Sequence, residues 1–190
     1  MATRVNSDMT DGVVKTAEKA SKSPSNNAAS DEGKIVQLNS SGKIPTAYYD
    51  AGTSNTPNFK VRAGTGQVIP TATDTVMVFA TSVFDTGSDW DGTNHRYIPG
   101  TAGTYFLHAS VRLDEDATFD RFILQVRKNG TVVSVSDVDY NDLTTNQVIG
   151  LATANGSGDY FDVVISQNSG SNKTTANQEA YTFFEGFRLT

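Results

Sequence analysis

Imidazole carries most acid–base, nucleophile-activating and zinc chemistry in proteins, and this chain holds only two histidines, His95 and His108. His108 falls inside an apolar alternation beside Tyr105 and Phe106, and His95 lies in a polar stretch. Neither stands in a Ser-His-Asp constellation or at zinc-ligand spacing. There is no cysteine, which removes thiol nucleophiles, thiolate metal sites and disulfides together. Carboxylates remain. Asp85-Thr86-Gly87-Ser88-Asp89-Trp90-Asp91-Gly92 spaces them along a loop, as a hard cation such as Ca2+ requires, so Asp85, Asp89 and Asp91 are the candidate metal ligands. The run departs from an EF-hand: Gly87 occupies an expected ligand position and the distal Glu is missing. A solvated turn is the favoured reading of it, and equally of Asp114-Glu115-Asp116. Trp90, the single tryptophan, has the ring to stack on a sugar, but folding back onto the domain is the reading adopted. Gly100-Thr101-Ala102-Gly103 and Asn155-Gly156-Ser157-Gly158 are followed by no Lys-Ser/Thr pair and no helix, so they are turns and not phosphate cradles. With no paired carboxylates and no activated nucleophile, the expectation is a protein that binds or builds and is not an enzyme, with no cofactor beyond the Ca2+ candidate.

The elements that position these residues are strands. Thr75–Val83 is rich in β-formers. In 104–113, Tyr105, Leu107, Ala109, Val111 and Leu113 fall on one face, with His108, Ser110 and Arg112 on the other. Phe122, Leu124 and Val126 repeat the pattern and lead into Asn129-Gly130, the strongest short hairpin signal, because a type I′ turn needs positive φ at both central residues. The return strand is 131–138. Further strands are expected over 146–154, after Gly158-Asp159 with Phe161, Val163 and Ile165 alternating, and over 181–190. About eight strands, turns between them and no helical period imply a sandwich or jelly-roll over residues 57–190.

Residues 1–56 read differently, as an extended N-terminal arm. Asp11–Ala20 has the pattern for two or three helical turns, and Ser21–Ser30, broken by Pro24, is a polar linker. In Gly33–Pro45, Ile35, Val36, Leu38 and Ile44 flank the turn Asn39-Ser40-Ser41-Gly42. A hairpin so small needs something to lie against, which makes these four the candidate docking residues; a disordered tail is the alternative. No heptad or Gly-X-Y repeat supplies a shaft.

Charge excludes one partner class. The net charge is −6, with no basic cluster to neutralise phosphates, so no nucleic acid is expected. No stretch approaches the ~20 apolar residues of a membrane span. Met1–Asp8 has no apolar run and is not a signal peptide, so synthesis in a cytoplasm is expected.

Tyr97-x-Pro99-Gly100-x-x-Gly103-Thr104-Tyr105-Phe106, then Lys128-Asn129-Gly130, then Gly158-Asp159-Tyr160-Phe161, then Thr182-Phe183-Phe184-Glu185-Gly186-Phe187-Arg188-Leu189 occur in this order. Together they resemble the complement C1q-like and tumour-necrosis-factor-like jelly-roll family. GKIVQLNSSGKIP resembles short segments of bacteriophage head and tail accessory proteins. The first resemblance implies a ten-stranded antiparallel sandwich assembled as a homotrimer. On the last strand Phe183, Glu185, Phe187 and Leu189 share one face, and Phe184, Gly186 and Arg188 the other. Both faces carry an aromatic, so a second covered surface is expected. Tyr105, Tyr160 and Phe184 are placed at the three-fold axis, with plain core filling as the open alternative. The functional expectation is a capsid decoration protein of a bacteriophage virion, its arm on the major capsid protein or another virion protein and its jelly-roll outward. A tail-fibre tip or adhesin binding a host glycan or receptor is the alternative, and a secreted C1q-like module is disfavoured by the lack of an export signal.

Overall fold

The structure, a computed structural model, describes residues 55–113, 121–139 and 145–190. Thirteen strands run along these residues and no helix does: β1 (Asn58–Arg62), β2 (Val68–Ile69), β3 (Thr75–Val76), β4 (Thr81–Asp85), β5 (Trp90–Asp91), β6 (Arg96–Tyr97), β7 (Ala102–Arg112), β8 (Phe122–Lys128), β9 (Thr131–Val138), β10 (Thr145–Asn155), β11 (Phe161–Gln167), β12 (Lys173–Thr174) and β13 (Phe183–Arg188). Five are two-residue ladders; the remaining eight match the number that alternation announces. One sheet has the order β10-β7-β13-β1-β4 and the other β5-β6-β11-β8-β9, with β3 also on β11 and β2 paired with β12. Every strand ladder is antiparallel. This is an all-β jelly-roll, with Thr53–Thr190 as its compact unit.

The alternating residues close the sandwich. Tyr105, Leu107, Ala109 and Val111 on β7 meet Leu124 and Val126 on β8 and Phe161, Val163 and Ile165 on β11, all fully buried. Aromatic rings bridge the two sheets at one end of this core. Phe59 of β1 lies flat on Tyr97 of β6 at 3.9 Å, and Phe184 of β13 meets Phe59 edge-on at 5.0 Å. Tyr97 in turn meets Tyr105 at 6.0 Å. The phenols keep their hydrogen bonds inside: Tyr97 donates to Asp89 Oδ2 at 3.1 Å and Tyr105 to the Thr101 carbonyl at 2.7 Å. Burial, reinforced by the Asp89 charge, pushes both phenols above their usual range. Gly186 faces the same core, where a Cβ would stand 2.6 Å from the Phe106 carbonyl and 2.9 Å from the Phe59 ring. Only glycine lets those layers approach.

The run Thr75–Val83, expected as one strand, is two. β3 pairs with β11 in one sheet, while β4 pairs with β1 in the other, so the intervening residues carry the chain across the sandwich. Met77 and Phe79 point into the core during the crossing and are fully buried. Gln67 replaces a strand partner there: its Nε2 donates to the Val76 carbonyl at 2.8 Å and its Oε1 accepts from the Val78 amide at 2.8 Å. β-Propensity records the burial but not the change of sheet.

Two of the sequence motifs lock together. Asn129 and Gly130 have φ of 51° and 80°, as the I′ turn requires. Asn129 Nδ2 donates to Asp159 Oδ1 at 2.8 Å, the Tyr160 amide donates to Asn129 Oδ1 at 2.9 Å, and Lys128 Nζ stands 2.9 Å from Asp159 Oδ2. The Lys-Asn-Gly hairpin and the Gly-Asp pair are thus two halves of one hydrogen-bonded clasp. Its lysine, asparagine and backbone donors hold the Asp159 carboxyl down at about 2, below the ordinary 3.8. Because the folded value is depressed, this contribution is complete above about pH 4 and disappears as the pH falls through 2. Acid titration of thermal stability should therefore show a loss over that interval in the native chain. Asp159→Asn should be less stable at pH 7 and lose less between pH 4 and 2; an unchanged acid profile would mean that the clasp contributes nothing.

Candidate functional site

A sheet packed on one side leaves its other side to solvent or to a partner, and here the outer face of β10-β7-β13-β1-β4 is apolar at intervals. The registers set Leu151, Phe106, Phe187 and Asn58 in one row across four strands. Ile149, His108, Glu185, Lys60 and Phe84 form the next row. The Phe106 and Phe187 rings stack at 5.1 Å between centroids. Ile149, Leu151 and Phe84 are 58%, 61% and 45% exposed. Asn55, Asn58, Phe84, Phe106 and Phe187 line a shallow depression of about 390 Å³ on this face. Solvent-exposed aliphatic and aromatic groups in adjacent register are the usual mark of a surface that associates.

A charged row crosses the same face and is neutralised within the subunit. Lys60 Nζ lies 3.3 Å from Glu185 Oε2 and 4.0 Å from Glu179 Oε1, and Arg62 Nε lies 3.9 Å from Glu179 Oε2. His108 Nδ1 is 3.0 Å from Glu185 Oε1, and its ring stands edge-on to Phe183 at 5.1 Å. Lys60 Nζ sits 4.4 Å above the Phe183 ring. Half-exposed pairs of this kind add little to the stability of one subunit. Their effect is to let the face carry charged groups with little net charge.

Of the three residues expected at a three-fold axis, two belong to the core of the described domain. Tyr105 and Phe184 are fully buried inside one subunit and offer no surface to another copy; core filling, the alternative left open, accounts for both. Tyr160 precedes β11 in the other sheet, with the Arg96 guanidinium 4.7 Å above its ring. The residues that do occupy the apolar face are Phe84, Phe106, Ile149, Leu151 and Phe187. One signal for them was on the last strand, where Phe187 stands opposite in parity to Phe184. Another was Val148-Ile149-Gly150-Leu151-Ala152, apolar on both faces of one strand, the pattern of a sheet covered twice.

The acidic loop spends its carboxylates locally. Asp85 Oδ2 accepts from the Trp90 amide at 2.8 Å and Asp89 Oδ2 accepts from Tyr97. Asp91 Oδ1 accepts from the Thr93 and Asn94 amides at 3.1 Å each, and its Oδ2 from Asn94 Nδ2 at 2.7 Å and Arg96 Nε at 3.3 Å. The Asn94 side chain and amide hold the Asp91 carboxyl below its ordinary range. Among the described residues no three acidic or histidine side chains converge as a metal group would need. Trp90 lies against the core, 6.3 Å from Phe59 and 6.4 Å from Phe184, and His95 sits in the turn before β6. Ile35, Val36, Leu38, Ile44 and Asp114-Glu115-Asp116 lie outside the described residues. Among those described, no helix is long and apolar enough to cross a membrane.

No protein-family model matches the chain, and no curated protein matches it. Its similarity is to solved structures. The PRD1 vertex protein P5 aligns with a TM-score of 0.54 at 14% identity, over 70% of this chain and 96% of that one. The globular domain of zebrafish complement 1qA aligns at 0.47 and 13%, over 70% and 97%, and murine APRIL at pH 5.0 at 0.48 and 17%, over 70% and 99%. At these identities the likeness shows the fold alone: a jelly-roll domain, shared with the PRD1 vertex protein P5. With Asp85 Oδ2, Asp89 Oδ2 and both Asp91 oxygens engaged within the loop, millimolar calcium should leave the thermal midpoint unchanged relative to chelator; a rise of several degrees would make Asp85, Asp89 and Asp91 ligands.

Proposed function

We propose that this chain is a structural protein of a bacteriophage virion: a homotrimer that decorates the capsid, held to the shell through residues 1–56, with the jelly-roll projecting. It performs no catalysis in this reading. The observation that carries the proposal is the outer face of the five-stranded sheet, where exposed Ile149, Leu151 and Phe84 flank the stacked Phe106 and Phe187. Burial of such groups contributes roughly 25 cal/mol per Å² removed from water, and identical copies of the chain are the partner always at hand.

Three further features support the arrangement. The two ends of the described domain meet, with the Arg188 amide donating to the Pro57 carbonyl at 3.0 Å and the Leu189 amide to the Thr104 carbonyl at 2.7 Å. The jelly-roll therefore begins at the pole that holds the C-terminus, and the ends of β7 and β9 lie at the opposite pole, free to face outward. Residues 1–56 carry six basic and six acidic side chains, so the net charge of −6 belongs wholly to the jelly-roll; a neutral arm is not repelled by the shell, while an acidic body stays in solution. The fold likeness to a protein named for a virion vertex supports the placement. Three arms on one trimer would multiply weak individual contacts. A tail-fibre tip reading would lean on Trp90 as a glycan platform, and that ring lies against the core.

Light scattering of the purified chain should give about three times 20.3 kDa, and Leu151→Asp should return it to the monomer with the fold retained. A stably monomeric native chain would end the assembly reading. Deleting residues 1–50 should leave the trimer intact and abolish its binding to particles; a truncated trimer that still decorates them would remove the arm from the mechanism.

A further inference from the structure

The chain contains two Asn-Gly pairs, Asn129-Gly130 and Asn155-Gly156, and Asp159 holds both. Its Oδ1 accepts from Asn129 Nδ2 at 2.8 Å, and its Oδ2 from the Asn155 amide at 2.9 Å, with Lys128 Nζ also 2.9 Å away. Asn followed by Gly is the pair most open to deamidation, because glycine has no Cβ to keep its nitrogen from the preceding side chain. At the first pair, the Gly130 nitrogen would attack Asn129 Cγ. The N–Cγ bond forms, the Cγ–Nδ2 bond breaks, and ammonia leaves with the displaced proton. Water then opens the succinimide at either carbonyl, giving Asp or isoAsp. Ring closure needs the carboxamide to swing onto the next backbone nitrogen, and here both its ends are engaged. Oδ1 accepts from the Tyr160 amide at 2.9 Å while Nδ2 is on Asp159, and the Asn129 amide donates to the Tyr160 carbonyl at 3.0 Å.

The two pairs are restrained differently. Gly130 lies open, where a Cβ would meet nothing nearer than the Tyr160 hydroxyl at 3.9 Å, and Asn129 is exposed. Gly156 is wedged, with a Cβ there standing 2.5 Å from the Ala102 nitrogen and 2.9 Å from the Thr101 carbonyl carbon. Asn155 Oδ1 also accepts from the Ser157 amide at 2.7 Å. Asn155 is therefore held partly by packing that does not pass through Asp159, whereas the Asn129 carboxamide depends on the clasp. We infer that Asn129 is a deamidation site guarded by Asp159, and that its conversion prevents the clasp from closing again. The product sets a carboxylate oxygen where Nδ2 stood, within hydrogen-bond distance of Asp159 Oδ1. Like charges at that separation repel, and Lys128 then faces two carboxylates with one positive charge.

Peptide mass mapping of the full-length chain, aged in mildly alkaline buffer, reads the conversion of each asparagine separately. Native Asn129 should convert at least about tenfold more slowly than in the same chain held unfolded in urea, because a hydrogen bond to a charged group shifts a local opening equilibrium by about a decade. Asp159→Ala should remove most of that protection at Asn129 while leaving Asn155 within about twofold of its native rate. Val163→Ala weakens the fully buried core without altering a clasp residue, and should leave the ratio of the two rates unchanged. If Asp159→Ala accelerates both asparagines alike, Asp159 acts only through overall stability and the inference fails. A native Asn129 rate equal to the rate in urea, a comparison that needs no variant, would overturn it too, as would a rise at Asn129 alone in Val163→Ala. Asn129→Asp, the product itself, should melt below the native chain at pH 7; an unchanged midpoint would show that the clasp accepts the carboxylate and would overturn its opening by deamidation.

Discussion

The stacking of Phe59 on Tyr97 at 3.9 Å is the contact on which the sandwich closes. Phe59 comes from the first strand of one sheet and Tyr97 from a two-residue strand of the other. The two-residue β6 has few ladder hydrogen bonds to hold its place, and a ring pair supplies both buried area and a preferred orientation. Phe184 and Trp90 gather on the same rings, and Gly186 keeps the last strand close enough for them to do so. The acidic loop is drawn in by this cluster, since the Tyr97 hydroxyl must find an acceptor when its ring is buried, and Asp89 is that acceptor. A constellation with the composition of a cation site is thereby turned to holding up an aromatic core.

Closing the sandwich also determines what is left outside. With Phe184 turned inward, pleating sends Phe183 and Phe187 outward, and the neighbouring strands add Phe106, Ile149 and Leu151 to the same side. Phe183 is covered within the subunit by Lys60 and His108. Phe106 and Phe187 shield part of each other, while Ile149 and Leu151 have no such cover. The surface is therefore covered within the chain around Phe183 and open at both margins, at Ile149 and Leu151 of β10 and at Phe84 of β4.

The composition of the chain divides along the same line as its proposed labour. A body carrying all the net charge and all the described strands has its two ends drawn together at one pole, where Pro57 accepts from Arg188. The Lys128–Asn129–Asp159 clasp near that pole ties neighbouring turns into one unit.

Much of this was legible in the residues alone. Alternation in Tyr105–Leu113, Phe122–Val126 and Phe161–Ile165, the Asn129-Gly130 turn and the ordered family motifs determined an all-β jelly-roll, and the parity of the last strand announced that both its faces carry aromatics. These signals are local, because pleat and turn geometry depend on near neighbours. The tertiary structure decided the rest. Met77 and Phe79 mark a crossing between sheets, which depends on where β1 and β11 lie and not on their own propensities. Tyr105 and Phe184 are core while Phe106 and Phe187 are surface, because period two separates two faces but cannot say which of them meets the second sheet; only the packing of β6 and β11 settles that.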